Sequence, residues 1–162
     1  FQTIVFKIPG GRNSILTSTY LQGLDFIPPF MFNIQGSAVV VKKGFPADIE
    51  AYSCFHDILR NPTGLADILQ ERQITDLFIC GMITKNPHLS NLTLSANLEL
   101  GVATDVAIIN TILDALDLFP SSNIHLIEDA CKGFVPPNVT KSLETIKEKG
   151  VQFIQSGTIL SQ

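Results

Sequence analysis

The chain reads as an α/β protein: a mainly parallel sheet with helices on its faces, in a three-layer sandwich. Three observations predict this. Short β-rich runs alternate with segments of helical period, the order of βαβ units. Ser37–Lys42 (SAVVVK) is a continuous apolar run rather than an alternating one, as in a strand buried on both faces. And 162 residues, 45% of them hydrophobic, suffice for one domain, 1–162, with a core of its own.

The elements follow in order. Thr3–Ile8 (TIVFKI) is a first strand, ended by Pro9-Gly10-Gly11. Arg12–Gly36, with its Ser/Thr positions and Pro28-Pro29, reads as mostly loop. Ser37–Lys42 is the second strand and Gly44–Asn61 a loop. Thr63 is placed to cap a helix over Gly64–Gln73, where Leu65, Ile68 and Leu69 fall at i, i+3, i+4. Thr75–Cys80 (TDLFIC) is the third strand, closed by Gly81. Met82–Leu100, with Pro87 and many Asn, Ser and Thr residues, interrupts the rhythm and reads as an inserted loop. Deleting Met82–Gly101 would join Gly81 directly to Val102 and restore a strand–turn–helix unit. The helix after it, capped by Thr104 or Asp105, runs to Leu118. Asn123–Glu128 is the fourth strand and Asp129–Pro137 a loop. A helix over Lys141–Lys149 is capped by Asn138 or Thr140 and stopped by Gly150, and Val151–Gln155 is the last strand.

Composition excludes several partners. The net charge is −4, and the Lys141–Lys149 cations suit the solvated face of a helix, so nucleic acid is not an expected partner. No apolar run reaches a membrane-spanning length, about 18 residues. Cys54, Cys80 and Cys131 are odd in number and lack metal-ligand spacing, which suits reduced thiols in a cytoplasmic protein. His56, His88 and His125 show no metal spacing either.

Parallel sheets bind ligands at the C-terminal ends of their strands. Lys43, just past the Val run, could be held partly desolvated at such an end, or could be a surface lysine. Tyr52, Ser53 and Phe55 lie in a loop that would pass over these ends; they could line a pocket for a flat aromatic molecule or tuck onto the core. Gly101–Asn110 is a small-residue turn into a helix, where backbone N–H groups point outward and α/β enzymes commonly place a nucleophile and oxyanion donors.

These segments come in a telling order. Lys42-Lys43-Gly44, Tyr52-Ser53-Cys54-Phe55, Thr63-Gly64-Leu65, Phe78-Ile79-Cys80-Gly81 and Val102-Ala103-Thr104-Asp105-Val106 precede Asp114-Ala115 and Glu128-Asp129-Ala130-Cys131-Lys132-Gly133. Together they resemble the nicotinamidases of the isochorismatase-like cysteine hydrolase superfamily, from Val39 to about Gly150. The resemblance implies a Rossmann-like sheet and an Asp–Lys–Cys triad, in which the cysteine attacks nicotinamide, ammonia leaves and water releases nicotinate, a step of NAD salvage. Lys43 matches the triad lysine. Val102 and Ala103 match the turn that supplies oxyanion-hole N–H groups. Tyr52, Ser53 and Phe55 match the substrate-pocket loop. Position 107, which matches the nucleophilic cysteine, is Ala107.

The base Asp lies on the family's first strand, which the resemblance places ahead of Phe1. Family members often bind a divalent metal such as zinc through an Asp-x-His motif and a later His. The motif is absent, and Ile8–Asn13, the weak match to the later position, offers no ligand, so no cofactor is expected in this chain. Losing one triad member costs on the order of 10⁴–10⁶ in rate, and a backbone oxyanion turn alone retains about 10³-fold. The expectation is therefore a nicotinamidase scaffold for a small pyridine carboxamide with severely impaired hydrolysis. Two alternatives stand beside it: a non-catalytic relative that binds a pyridine-like ligand or a protein partner, and a defective gene product altered at Met82–Leu100. Absence of the first strand would leave edges and core uncovered, so marginal stability or association, for instance as a homo-oligomer, is also expected.

Overall fold

Residues 2–7, 13–19, 39–43, 49–81, 104–133 and 135–160 are described by the computed structural model. Six strands among them form one sheet, in the order β3-β2-β1-β4-β5-β6. β1 (Gln2–Lys7) and β2 (Asn13–Thr19) pair antiparallel, from Gln2 opposite Ser18 to Lys7 opposite Asn13. β3 (Val39–Lys42) pairs parallel with β2. β4 (Asp76–Gly81) is antiparallel to β1 and parallel to β5 (Ile124–Cys131), which is parallel to β6 (Gln152–Ile154). The sheet is thus mainly parallel, with β1 alone reversed among the described strands.

The helices are α1 (Leu65–Glu71), a π-helical turn Thr104–Ile108 leading into α2 (Ile109–Ala115), α3 (Pro136–Glu148) and α4 (Ser156–Leu160). Alternation along β4 buries Leu77, Ile79 and Gly81 on one face. One cluster joins Leu77, Ile79, Ile124 and Leu126 of the strands to Leu65 and Leu69 of α1, Ile112 of α2 and Ile146 of α3. Each such side chain contributes about 1.5–3 kcal/mol on burial. This continuous apolar floor fixes where α1 and α2 stand, and with them the loop between β3 and α1. No helix among the described residues is long and apolar enough to cross a membrane.

Several elements differ from the sequence reading. Part of Arg12–Gly36, read as loop, is β2. Pro9-Gly10-Gly11 separates two β-capable runs, and NSILTST, with its Ile and Thr residues, returns beside β1 as a hairpin partner. α3 starts before Lys141, because Pro136 and Pro137 fill the first turn, where a missing N–H costs nothing. Thr140 is therefore inside the helix, its hydroxyl donating to Pro136 O at 3.2 Å. α2 ends at Ala115 rather than Leu118, its last turn closing through Leu118 N to Ala115 O. Cys131, read as a loop residue, ends β5. The chain does not stop at a last strand: Asp129 accepts from Ser156 N at 2.7 Å and from the Ser156 hydroxyl, capping α4. Gly150 ends α3 with φ +84°, as its position predicts. Val102, Ala103 and the segment Met82–Leu100 lie outside the described residues.

Candidate functional site

Lys43 leaves the end of β3 and turns inward, only 6% exposed. Its Nζ donates to Tyr52 O at 3.0 Å, so the ammonium is held under the loop that follows. Burial pulls its pKa below the ordinary lysine range, and the neighbouring Cys54 opposes that shift. Of the two readings of Lys43, the partly desolvated one describes its environment.

The loop that Lys43 supports is built by short-range polar contacts. The Ser53 hydroxyl accepts from Phe55 N at 3.1 Å, closing a local turn. The Thr63 hydroxyl donates to Cys54 O at 2.6 Å, and its oxygen accepts from Leu65 N at 3.3 Å, so one side chain ties the loop to the start of α1. Thr63 does this from the position before the N-cap, Gly64, whose φ is +86°. Further along, the Asp57 carboxylate gathers Leu59 N at 2.8 Å, Asn61 N at 2.9 Å and Asn61 Nδ2 at 2.7 Å. Burial works against ionisation there, yet the bonds from Asn61 and Leu59 prevail and hold the Asp57 pKa below the usual carboxylate range.

Tyr52 stays half exposed, whereas Ser53 and Phe55 are buried. Phe55 belongs to the core cluster, while Tyr52 and Ser53 line an open depression of about 220 Å³. His56, Asp57, Ile58 and Arg60 from the loop and Asn110 and Asp114 from α2 complete its rim. His56 Nε2 lies 3.0 Å from Asp114 Oδ2, and Arg60 Nη1 lies 3.6 Å from Asp114 Oδ1. His56 Nδ1 donates to Asp57 O at 3.0 Å, which fixes the plane of the ring. Arg60 and Asp114 thus face one another on the rim, beside the half-exposed Tyr52.

Ala107 sits in the π-helical turn at the head of α2, 5% exposed. Such turns interrupt the helical ladder and recur at functional sites. Here Asn110 Nδ2 donates to Val106 O at 2.6 Å, giving a carbonyl of the turn an added partner. Lys43 and Ala107 are both buried, and neither lines the depression. The other thiols on the sheet are poor nucleophiles: burial first, and Asp129 next, push Cys80 up to about 11, and burial pushes Cys131 up to about 12.

Sequence reasoning singled out Lys43, Tyr52, Ser53, Phe55 and Ala107, and missed His56, Arg60 and Asn110 as rim residues. Asp57 and Asn61, typical turn formers four apart, were a readable signal for the turn that presents Arg60 at φ +67°. The meeting of His56 with Asp114, 58 positions apart, had no local signal.

No protein-family model matches the chain. A nicotinamidase of Acinetobacter baylyi is 30% identical over 164 residues, covering 99% of this chain and 65% of the relative. Among solved structures, a nicotinamidase/pyrazinamidase of Acinetobacter baumanii matches with a TM-score of 0.57 and 30% identity, over 78% of this chain and 52% of that one. A pyrazinamidase of Pyrococcus horikoshii, solved in complex with zinc, matches with a TM-score of 0.52 and 30% identity, over 73% of this chain and 51% of that one. The chain therefore spans between about half and two thirds of the length of these relatives. Sequence likeness along nearly the whole chain, joined to a common α/β sheet, makes the chain similar to nicotinamidases in both sequence and fold.

Proposed function

We propose that the chain is a nicotinamidase-type scaffold that binds a small pyridine carboxamide over the Tyr52–Ser53 loop and is severely impaired in hydrolysing it. The observation that carries this reading is Ala107, buried at the head of α2 where the family resemblance places the nucleophilic cysteine. A methyl group cannot add to a carboxamide carbon, so no covalent acyl intermediate forms there and ammonia is not expelled by that route. The rest of the arrangement remains suited to binding. Tyr52 offers a flat face and Asn110 stands on the rim. Lys43, desolvated behind the loop, is suited to hold or release a proton, but it has no nucleophile at position 107 to serve.

The zinc of the Pyrococcus relative has no counterpart that the described residues fit. His56 is turned to Asp114 and Asp57, and His125 stacks on Phe78 with its Nε2 3.5 Å from Asp76. Among the described residues no three metal-ligating side chains converge. A cytoplasmic setting and a link to NAD salvage belong to the same proposal.

Ligand-dependent thermal unfolding tests it. Nicotinamide or nicotinate should raise the melting temperature, by the equivalent of about 2.7 kcal/mol at a hundredfold excess over Kd. An unmoved transition at millimolar concentrations of both ligands would overturn the binding reading.

A further inference from the structure

Within residues 49–63 the only described pairing of strand type is the isolated bridge between His56 and Pro62, so polar contacts set the loop's course over α2. Two of these contacts come from α2 itself. The Cys54 amide donates to the Thr111 hydroxyl at 3.0 Å, and both residues are 0% exposed. Three residues on, Asp114 faces His56 and Arg60. Positions i and i+3 stand on one face of a helix. One face of α2 thus carries both points of contact, and the π-helical turn that leads into it carries the family's nucleophile position.

We propose that Thr111 and Asp114 form a two-point grip by which α2 positions the substrate loop. Thr111 holds the peptide of Cys54, between Ser53 and Phe55. Asp114 holds the outer limb through His56 and Arg60. Both are positioning residues. The two points differ in kind. Thr111 acts in the dry interior, where a buried amide deprived of its acceptor is costly. Asp114 acts at the rim, where Arg60 is largely exposed and solvent weakens the pair. The inner point should therefore dominate. Thr63, just ahead of α1, donates to Cys54 O in the next peptide, so Cys54 is held on both sides, by Thr63 and by Thr111 of α2. Where it concerns ligand affinity, the inference rests on the reading of this loop as the pyridine pocket; the grip itself does not.

Alkylation of Cys54 by a maleimide, followed by peptide mass mapping, reads the grip without any ligand. Cys80 and Cys131, partly exposed on β4 and β5, give reference labelling rates in the same sample, and global destabilisation would raise them together with Cys54. Thr111→Val should raise Cys54 labelling roughly tenfold or more relative to the other two thiols. Thr111→Ser, which keeps the hydroxyl, should restore protection, and Asp114→Ala should raise labelling by a smaller factor. Unchanged Cys54 labelling in Thr111→Val, or a rise shared equally by all three thiols, would overturn the proposal. Should Thr111→Val not fold, Asp114→Ala carries the test by the same ratio. Nicotinate titration of the same proteins separates the two claims. If Cys54 opens as expected but the unmodified chain binds no nicotinate, the pocket reading falls and the grip stands.

Discussion

Replacing Thr63 by valine removes one hydroxyl and little volume. That hydroxyl donates to Cys54 O at 2.6 Å and accepts from Leu65 N at 3.3 Å. Cys54 is fully buried, so its carbonyl loses this donor where water cannot easily replace it. Leu65 N opens α1 and is the less costly loss, since the bond is long. Losing a buried partner costs about 1–3 kcal/mol, and the added methyl recovers a fraction of that. For a chain of this size about 1 kcal/mol moves the melting temperature by roughly 2–4 °C, so Thr63→Val should melt roughly 2–8 °C below the unmodified chain. Thr63→Ser should stay close to the unmodified value. Thermal denaturation followed by circular dichroism measures both. A valine variant that melts with the unmodified chain would refute the claim that Thr63 anchors the loop to α1.

Two further outcomes follow from single groups. Because burial holds the folded-state pKa of Lys43 below its ordinary 10.5, the unfolded chain binds the extra proton between the two values. Stability should therefore rise with pH across that alkaline window relative to Lys43→Met, which lacks the group, and denaturant titrations giving parallel pH profiles would contradict this. Gly150 has φ +84°, and a Cβ there would come within 2.9 Å of Ser121 Oγ. Gly150→Ala should cost about 1–2 kcal/mol in chemical denaturation, and a neutral effect would show that this turn relaxes freely.

Much of the sheet was legible because its strands are apolar runs closed by Gly or a charged residue. Ser37–Lys42, Thr75–Cys80 and Asn123–Glu128 each contain or overlap a strand of the structure, β3, β4 and β5. The Leu65/Leu69 spacing marked α1, and both residues are buried in it. β2 was not legible by the same rule, since NSILTST is half hydroxylated and becomes a strand through pairing with β1. α4 was hidden because a short segment such as Ser156–Leu160 lacks the length for a periodic signal. What forms its cap is Asp129, 27 positions earlier. At the site, Lys43 could be singled out because a cation after a buried run has few places to go. The rim could not: His56, Arg60 and Asp114 come together only when α2 is packed beside the loop, and neither periodicity nor turn chemistry reports that distance.

The most direct measurement is ammonia release from nicotinamide by the purified chain, with a parallel sample whose thiols have been alkylated. With Ala107 in the nucleophile's place, release should be the same in both samples and stay within about 10³-fold of the protein-free rate. Release that scales with the amount of protein and disappears on alkylation would contradict the reading, because it would mean that another thiol performs the attack that position 107 cannot.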